Sequence, residues 1–212
     1  MVEIYLLRHG QTAWNKDRIF RGRADVPLDD HGLAQAECAV QALGNTPLVE
    51  IHSSPLSRAV QTAQPTANAK NLPVKEAPEL LDIDYGQWTG KSQVEIEKLF
   101  PELNRQWLQC PEQVHFPNGE DLSAVRERAF AYLLTLVRTA GDGAILLVSH
   151  RVVLKVLICA ALELGLSKFW QVKLDTASLS VLSFEKDRFT LNLLNDTCHL
   201  QELGGAGESV DF

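Results

Sequence analysis

The sequence predicts an α/β fold in a single domain, and three observations carry that expectation. The first apolar run, Val2-Glu3-Ile4-Tyr5-Leu6-Leu7, reads as a buried strand and closes with Arg8-His9-Gly10-Gln11. Open α/β sheets gather ligand-binding residues at such strand carboxyl ends. Strand-like and helix-like segments then alternate in a βαβ rhythm. With 212 residues, 45% of them hydrophobic, the chain can bury one full-sized core.

Each element follows in order. Asp29-Asp30-His31-Gly32 opens a helix that runs to about Leu43 and stops at Gly44, a polar start and a glycine end. A strand near 49–53 leads through Ser54 and Pro55 into a helix reaching Lys70. Ser54 is its expected N-cap, Pro55 its first residue and Pro65 a point of kinking. A short strand near Val74 runs into a loop over 82–90. Residues 91–119 break the rhythm: a helix over 92–100 precedes Trp107 and a polar, proline-punctuated run to Asn118-Gly119. This segment reads as an insertion over the site at the strand ends, where specificity would reside. A helix over 121–138, the strand Ala144-Ile145-Leu146-Leu147-Val148-Ser149 ending at His150, a helix through Leu164 and a hairpin near 178–194 complete the domain. The tail 204–212, with Gly204-Gly205-Ala206-Gly207, reads as flexible.

The strand ends point to one chemistry. Arg8 offers a planar, permanently charged fork that fits phosphate oxygens bidentately. His9 offers an imidazole able to attack phosphorus and carry the phosphoryl group. Gly10 lets backbone N–H groups approach an anion closely. Arg58, in the first turn of its helix, points back to the same sheet edge, and His150 ends a third strand. Such a pocket is cationic and compact, and its natural guest is a phosphate dianion.

These residues carry a resemblance. Leu7-Arg8-His9-Gly10, the run Ser53-Ser54-Pro55-Leu56-Ser57-Arg58-Ala59-Val60-Gln61-Thr62-Ala63 and Val148-Ser149-His150 resemble the histidine phosphatase superfamily, which includes the cofactor-dependent phosphoglycerate mutases. The likeness covers the chain from Met1 to about Leu200. It implies a three-layer α/β/α arrangement with a mostly parallel sheet, one antiparallel strand and a helical insertion over the C-terminal strand ends. The stretch Asp82-Ile83-Asp84-Tyr85-Gly86-Gln87-Trp88-Thr89-Gly90 is similar to the family's acid-bearing segment, with Asp82 in the place of a glutamate. Aspartate is one methylene shorter, a loss of roughly 1.5 Å in reach.

Within the family, Asn118-Gly119-Glu120-Asp121-Leu122, Leu166-Ser167-Lys168-Phe169-Trp170, Asp175-Thr176-Ala177-Ser178 and Thr197-Cys198-His199-Leu200 resemble the metal-independent phosphoserine phosphatases. The resemblance assigns His199 to the substrate's amino-acid end. It places Tyr85 where that branch tends to have a histidine. It also implies phosphate donors at Gln11, Thr12, Asn15, Arg21 and Gly22, with Asn15 foremost. His9 would form a phosphohistidine, Arg8, Arg58 and His150 would spread positive charge over the phosphoryl oxygens, and Asp82 would protonate the leaving alkoxide. Neither metal nor other cofactor is called for. The expected substrate is a small phosphomonoester, L-phosphoserine foremost, with a sugar phosphate or α-ribazole phosphate as alternatives. Two further readings stay open: a phosphoglycerate mutase, and a catalytically weak phosphate-binding scaffold. The branch resemblance points to a homodimer built through the hairpin.

Other classes fit less well. No cysteine is followed six places later by arginine, and neither a Walker A nor a GxGxxG run occurs. Asp82-Ile83-Asp84 has the look of a magnesium-dependent aspartyl site but follows no long apolar strand. His31, His52 and His115 lack metal-ligand spacing, and Trp14 and Trp88 fit either the substrate mouth or the core. A net charge of −7 without a Lys/Arg stripe argues against nucleic acid. No apolar stretch reaches membrane-spanning length, and Glu3 and Arg8 interrupt the early apolar run. Cys38, Cys110, Cys159 and Cys198 show no CxxC spacing and read as reduced residues of a cytoplasmic protein.

Overall fold

A computed structural model describes residues 1–141 and 143–204. Its strands are β1 (Val2–Arg8), β2 (Leu48–Ser53), β3 (Val74–Glu76), β4 (Gly143–Ser149), β5 (Leu179–Glu185) and β6 (Arg188–Asp196). Its α-helices are α1 (Ala13–Lys16), α2 (Asp30–Ala42), α3 (Ser57–Lys70), α4 (Gln93–Leu99), α5 (Pro101–Gln109), α6 (Leu122–Thr139) and α7 (Arg151–Ala161). The strands form one sheet in the order β3-β2-β4-β1-β5-β6. Pairing is parallel between β1 and β4, β2 and β4, and β2 and β3, while β5 runs against both its neighbours.

Strand alternation divides the core into two faces. Val2, Ile4 and Leu6 of β1 and Ile145 and Leu147 of β4 pack with Val125, Ala129 and Leu133 of α6 and Val153 and Leu157 of α7. Leu7, Ala144, Leu146 and Val148 turn the other way, onto Ala39 of α2 and Ala59, Ala63 and Ala67 of α3. The three-layer expectation therefore holds, with β5 as the strand of opposite direction. Because β4 is covered on both sides, Ala144 to Ser149 are all buried, which explains its unbroken apolar sequence. The β5–β6 hairpin turns on Lys186 and Asp187, both at positive φ, the pair of left-handed residues that a type I′ turn requires.

Several boundaries differ from expectation. Helix α3 begins at Ser57 with Leu56 at its N-cap position, not at Ser54-Pro55. The reason lies in the sheet: the Ser54 N–H is bonded to the Val148 carbonyl, which prolongs β2 pairing, and Asp25 caps the helix by accepting from the Ser57 N–H and hydroxyl. Pro65 lies within α3 without ending it. The run after Phe100 is helical as α5, started by Pro101 and anchored by the buried Asn104 and Trp107. Of the tail, Gly204 takes a left-handed conformation, and 205–212 lie outside the described residues. No helix among the described residues is long and apolar enough to cross a membrane.

The loop after β1 is pinned to the start of α2. Gln11 N–H donates to Gln35 Oε1, Asp29 N–H donates to the Gln11 carbonyl, and Gln11 Nε2 donates to Asp29 Oδ2. Gly10 and Gly32 face each other here: a Cβ on Gly32 would lie 2.1 Å from the Gln11 carbonyl oxygen, and one on Gly10 2.6 Å from the Gly32 oxygen. Gly32→Ala must therefore displace backbone, and urea unfolding should show a loss of about 3 kcal/mol. A loss below about 0.5 kcal/mol, the size of an ordinary surface change, would contradict this tight contact.

Candidate active site

The parallel register aligns three strand ends. Arg8 pairs with Ser149, and Ser53 with Val148. The residues that follow, His9, Ser54 and His150, consequently emerge side by side at the carboxyl edge. The His9 N–H is bonded to the Ser149 carbonyl at 2.9 Å, and the Ala177 N–H to the His9 carbonyl at 3.2 Å. The two imidazole rings lie 5.2 Å apart.

Each imidazole has its proton assigned by its partners. His9 Nδ1 lies 2.7 Å from the Gly10 carbonyl, which can only accept, so Nδ1 carries the hydrogen. That leaves Nε2 with its lone pair, buried and without a hydrogen-bond partner. In His150 the order is reversed. Arg58 Nε–H donates to Nδ1 at 3.2 Å, and Nε2–H donates to Ser54 Oγ at 2.8 Å. Burial holds both rings well below the ordinary histidine value. Arg21, Arg58 and Arg8 press His9 the same way, and Arg58, Arg21, Arg128 and Arg8 press His150.

Arg58 is fully buried and binds the site together. Beyond His150, its Nη1 donates to the Ala24 carbonyl at 2.8 Å, and Nη2 to the Gly22 carbonyl at 2.8 Å and to Asp82 Oδ2 at 3.4 Å. Asp82 is almost completely buried, accepts from the Ile83 N–H at 3.0 Å, and reaches to 3.8 Å of His150 Nδ1. Arg8 donates from Nη1 to the Leu174 carbonyl. Arg21 donates to Thr12 Oγ1 at 3.1 Å, and its pKa is lowered well below the usual guanidinium value by burial and by Arg58 and Arg8. Mutual repulsion of this kind marks a place prepared for an anion.

A small cavity opens beside this cluster, lined by Asn15, Ile19, Phe20, Arg21, Asp82, Tyr85, Arg151 and Val152. The Oδ1 of Asn15 accepts from the N–H and hydroxyl of Thr12, so its amide N–H groups are what it has left to offer a ligand. Burial raises the Tyr85 hydroxyl to about 12 and keeps it neutral. Its ring packs on Phe20, Phe116 and Trp107.

Of the residues picked out in the sequence, Arg8, His9, Asn15, Arg21, Arg58, Asp82, Tyr85 and His150 are brought together. Thr12 supports them through Asn15 and Arg21. Gly22 contributes its carbonyl to Arg58, whereas the Gln11 side chain is spent on Asp29. His199 is absent from the cavity lining: its Nε2–H donates to the Ala177 carbonyl, behind His9, at 3.0 Å. Trp88 is fully buried in the core. Two residues of the site went unread in the sequence. Ser54, expected as a helix cap, is one, and Arg151, given no role in the sequence reading, is the other. Its place directly after His150 was the available signal. Among the described residues no group of three or more His, Cys, Asp or Glu is arranged to hold a metal ion.

Strand ends that gather two imidazoles, several guanidiniums and one carboxylate beside a small cavity define a phosphate-handling α/β protein. The model for the histidine phosphatase superfamily (branch 1) matches residues 4–197, and the chain belongs to that family. It is 37% identical over 202 residues to Phosphoserine phosphatase 1 of Hydrogenobacter thermophilus, covering 95% of this chain and 96% of that one. Bacillus stearothermophilus YhfR superposes with a TM-score of 0.90 at 28% identity, over 94% of this chain and 100% of that one. The phosphoserine phosphatase of Entamoeba histolytica, solved as an H9A mutant in complex with phosphoserine, superposes with a TM-score of 0.84 at 27% identity, over 94% and 100%. These likenesses support phosphatase activity on a small phosphorylated metabolite.

Neutral buried histidines make stability depend on pH. Below about 6.5 the unfolded chain takes up protons that His9 and His150 refuse, so folding stability falls as pH drops through that value. Each such imidazole contributes a slope approaching about 1.4 kcal/mol per pH unit. Urea unfolding at pH 7.5 and 5.5 should show the loss, reduced in His9→Phe. A midpoint unchanged between the two pH values would mean that these rings are not held neutral.

Proposed function

We propose that the protein is a phosphomonoesterase that works through a phosphohistidine at His9, with L-phosphoserine as its favoured substrate. One observation carries this reading: His9 Nε2 keeps its lone pair, with no hydrogen-bond partner, among Arg8, Arg21 and Arg58. Nε2 attacks phosphorus as the ester P–O bond breaks, and the guanidiniums with His150 meet the charge on the remaining phosphoryl oxygens. Asp82, in its carboxylic acid form, gives its proton to the departing alkoxide. The resulting carboxylate then takes a proton from water as that water attacks the phosphohistidine, which releases inorganic phosphate and restores both groups. In this reading the arginines supply the positive charge, and the reaction runs in EDTA.

The phosphoserine preference rests on the relatives. His199 takes part through the loop it holds against His9. Residues 91–119 cover the site, as the contact of Trp107 with Tyr85 suggests. The reading also includes a homodimer through the β5–β6 hairpin, whose edge strand exposes Leu193 and Leu194.

The mechanism separates two leaving groups. His9→Ala should abolish phosphate release in EDTA from every substrate, and full activity in that variant would remove His9 from the chemistry. Asp82→Asn should slow phosphoserine about 100-fold and nitrophenyl phosphate, whose leaving group needs little protonation, under about tenfold. Equal losses on both would take the acid role from Asp82. Phosphate moving between positions of phosphoglycerate without net release would make the protein a mutase instead.

A further inference from the structure

We infer that Arg128 and Glu120 are positioning residues for the acid step: together they clamp the backbone around Asp82 and so set where its carboxyl stands. The inference rests on the phosphomonoesterase reading and adds to it what holds the proton donor in place.

Asp82 lies between two single turns of 3-10 helix, Pro78–Leu80 and Gly86–Trp88, and residues 81–85 belong to no strand or helix. Its carboxyl stands one methylene from the backbone, so a displaced backbone carries the acid with it. A misplacement on the order of 1 Å costs a catalytic step roughly 100-fold. The loop is held from α6. Arg128, in the second turn of that helix, donates from Nη1 to the Glu79 carbonyl at 2.6 Å and from Nη2 to the Asp82 carbonyl at 3.2 Å. Its Nε and Nη2 also donate to Glu120 Oε1 and Oε2 at 3.1 and 3.0 Å, the paired bonds that a guanidinium fork offers a carboxylate.

Glu120 completes the clamp from the residue before the Asp121 cap of α6. Its Oε2 accepts from the Asp84 N–H at 3.1 Å, and its own N–H donates to the Asp84 carbonyl at 2.8 Å. Gly119 permits this approach, since a Cβ there would strike the Asp84 carbonyl oxygen. Arg23 joins from the other side, with Nη2 donating to Glu120 Oε1 at 2.8 Å. The backbone is thereby fastened at Glu79, Asp82 and Asp84. Burial pushes the Glu120 carboxyl up, but Arg128, the Asp84 N–H and Arg23 outweigh it and hold the group below the usual range, so the pair stays charged. The anchor itself is firm, because Val125, Ala129 and Leu133 seat α6 in the core. Neither Glu120 nor Arg128 lines the cavity. Their reach into the chemistry runs through Asp82, whose Oδ1 accepts from the Ile83 N–H while Oδ2 lies beside Arg58 and His150.

The leaving group reads the stance of the acid separately from the rest of the site. Arg128→Met should lower kcat for phosphoserine about 20-fold with KM within about twofold, and kcat for nitrophenyl phosphate under about threefold. Glu120→Gln and Arg128→Lys should shift the ratio of the two esters in the same direction, by about fivefold. Arg128→Lys keeps the charge that bears on His150 and loses only the fork. In the Asp82→Asn background each change should cost no more than about twofold further, because the proton donor is already gone. Equal losses on both esters, or losses that multiply with Asp82→Asn, overturn the assignment and leave the phosphatase reading intact. Amide hydrogen exchange needs no turnover: the Ile83 and Asp84 N–H groups should exchange about tenfold faster in Arg128→Met, with β1 and β4 unchanged. Unaltered exchange at both amides overturns the inference. If the wild-type protein releases no phosphate from either ester, the phosphatase reading falls, and the exchange rates still decide whether the clamp holds Asp82. Should Arg128→Met fail to fold, a wild-type ester ratio in both Arg128→Lys and Glu120→Gln counts against it.

Discussion

The hydrogen bond from Arg58 Nε to Nδ1 of His150 belongs to a set of bonds by which one guanidinium ties together four parts of the chain. Arg58 comes from the first turn of α3, His150 from the end of β4, Gly22 and Ala24 from the loop beyond α1, and Asp82 from the loop beyond β3. A guanidinium with no solvent access is costly to bury unless its donors are used. Here they are spread over four partners, and each partner is thereby held in place. The bond also decides the chemistry of the ring it touches. With Nδ1 accepting from Arg58, the imidazole proton goes to Nε2 and from there to Ser54. His9, whose Nδ1 is occupied by its own neighbouring carbonyl, ends with the opposite arrangement. Two histidines side by side thus carry their ring protons on different nitrogens because different partners occupy their rings.

Electrostatics explain why the cluster tolerates such crowding. Arg8, Arg21 and Arg58 disfavour one another's charge, as the depressed value of Arg21 shows, and Asp82 offsets only part of that. Burial keeps the histidines neutral and so adds no further positive charge. The crowded guanidiniums make this corner of the fold strongly cationic. Rigid packing surrounds it: α7 is buried along every residue, and the strand ends are locked in register with one another.

Much of this was legible in the sequence because parallel strands keep their binding residues at one edge. Arg8-His9, Ser149-His150 and the early-helix Arg58 could each be assigned to a strand end or helix start, and the sheet then brought them together. What escaped reading depended on contacts made across the fold. Ser54 has the composition of a helix cap, and only the continued pairing with β4 gives it to His150 instead. Gln11 looks like a phosphate donor until Asp29 and Gln35 claim it. Pro101–Gln109 lacks a long apolar stripe, and its helix becomes worthwhile through one buried tryptophan that meets Tyr85, Phe169 and Trp170. Arg151 opens a run so apolar that its local sequence carries no sign of a place beside the site. The placement of His199 behind the Ala177 carbonyl likewise depends on how the final turn folds back over α2.

The opposed glycines at the start of α2 have a consequence for how this chain can vary. In most crowded cores a larger side chain can be accommodated by trimming a neighbour. At Gly10 and Gly32 the obstructing atoms are carbonyl oxygens and backbone nitrogens, which every residue possesses. No second substitution can clear that space. The two positions resist single-step change and paired change alike. The part of the sequence least able to drift is therefore a pair of residues with no side chain at all.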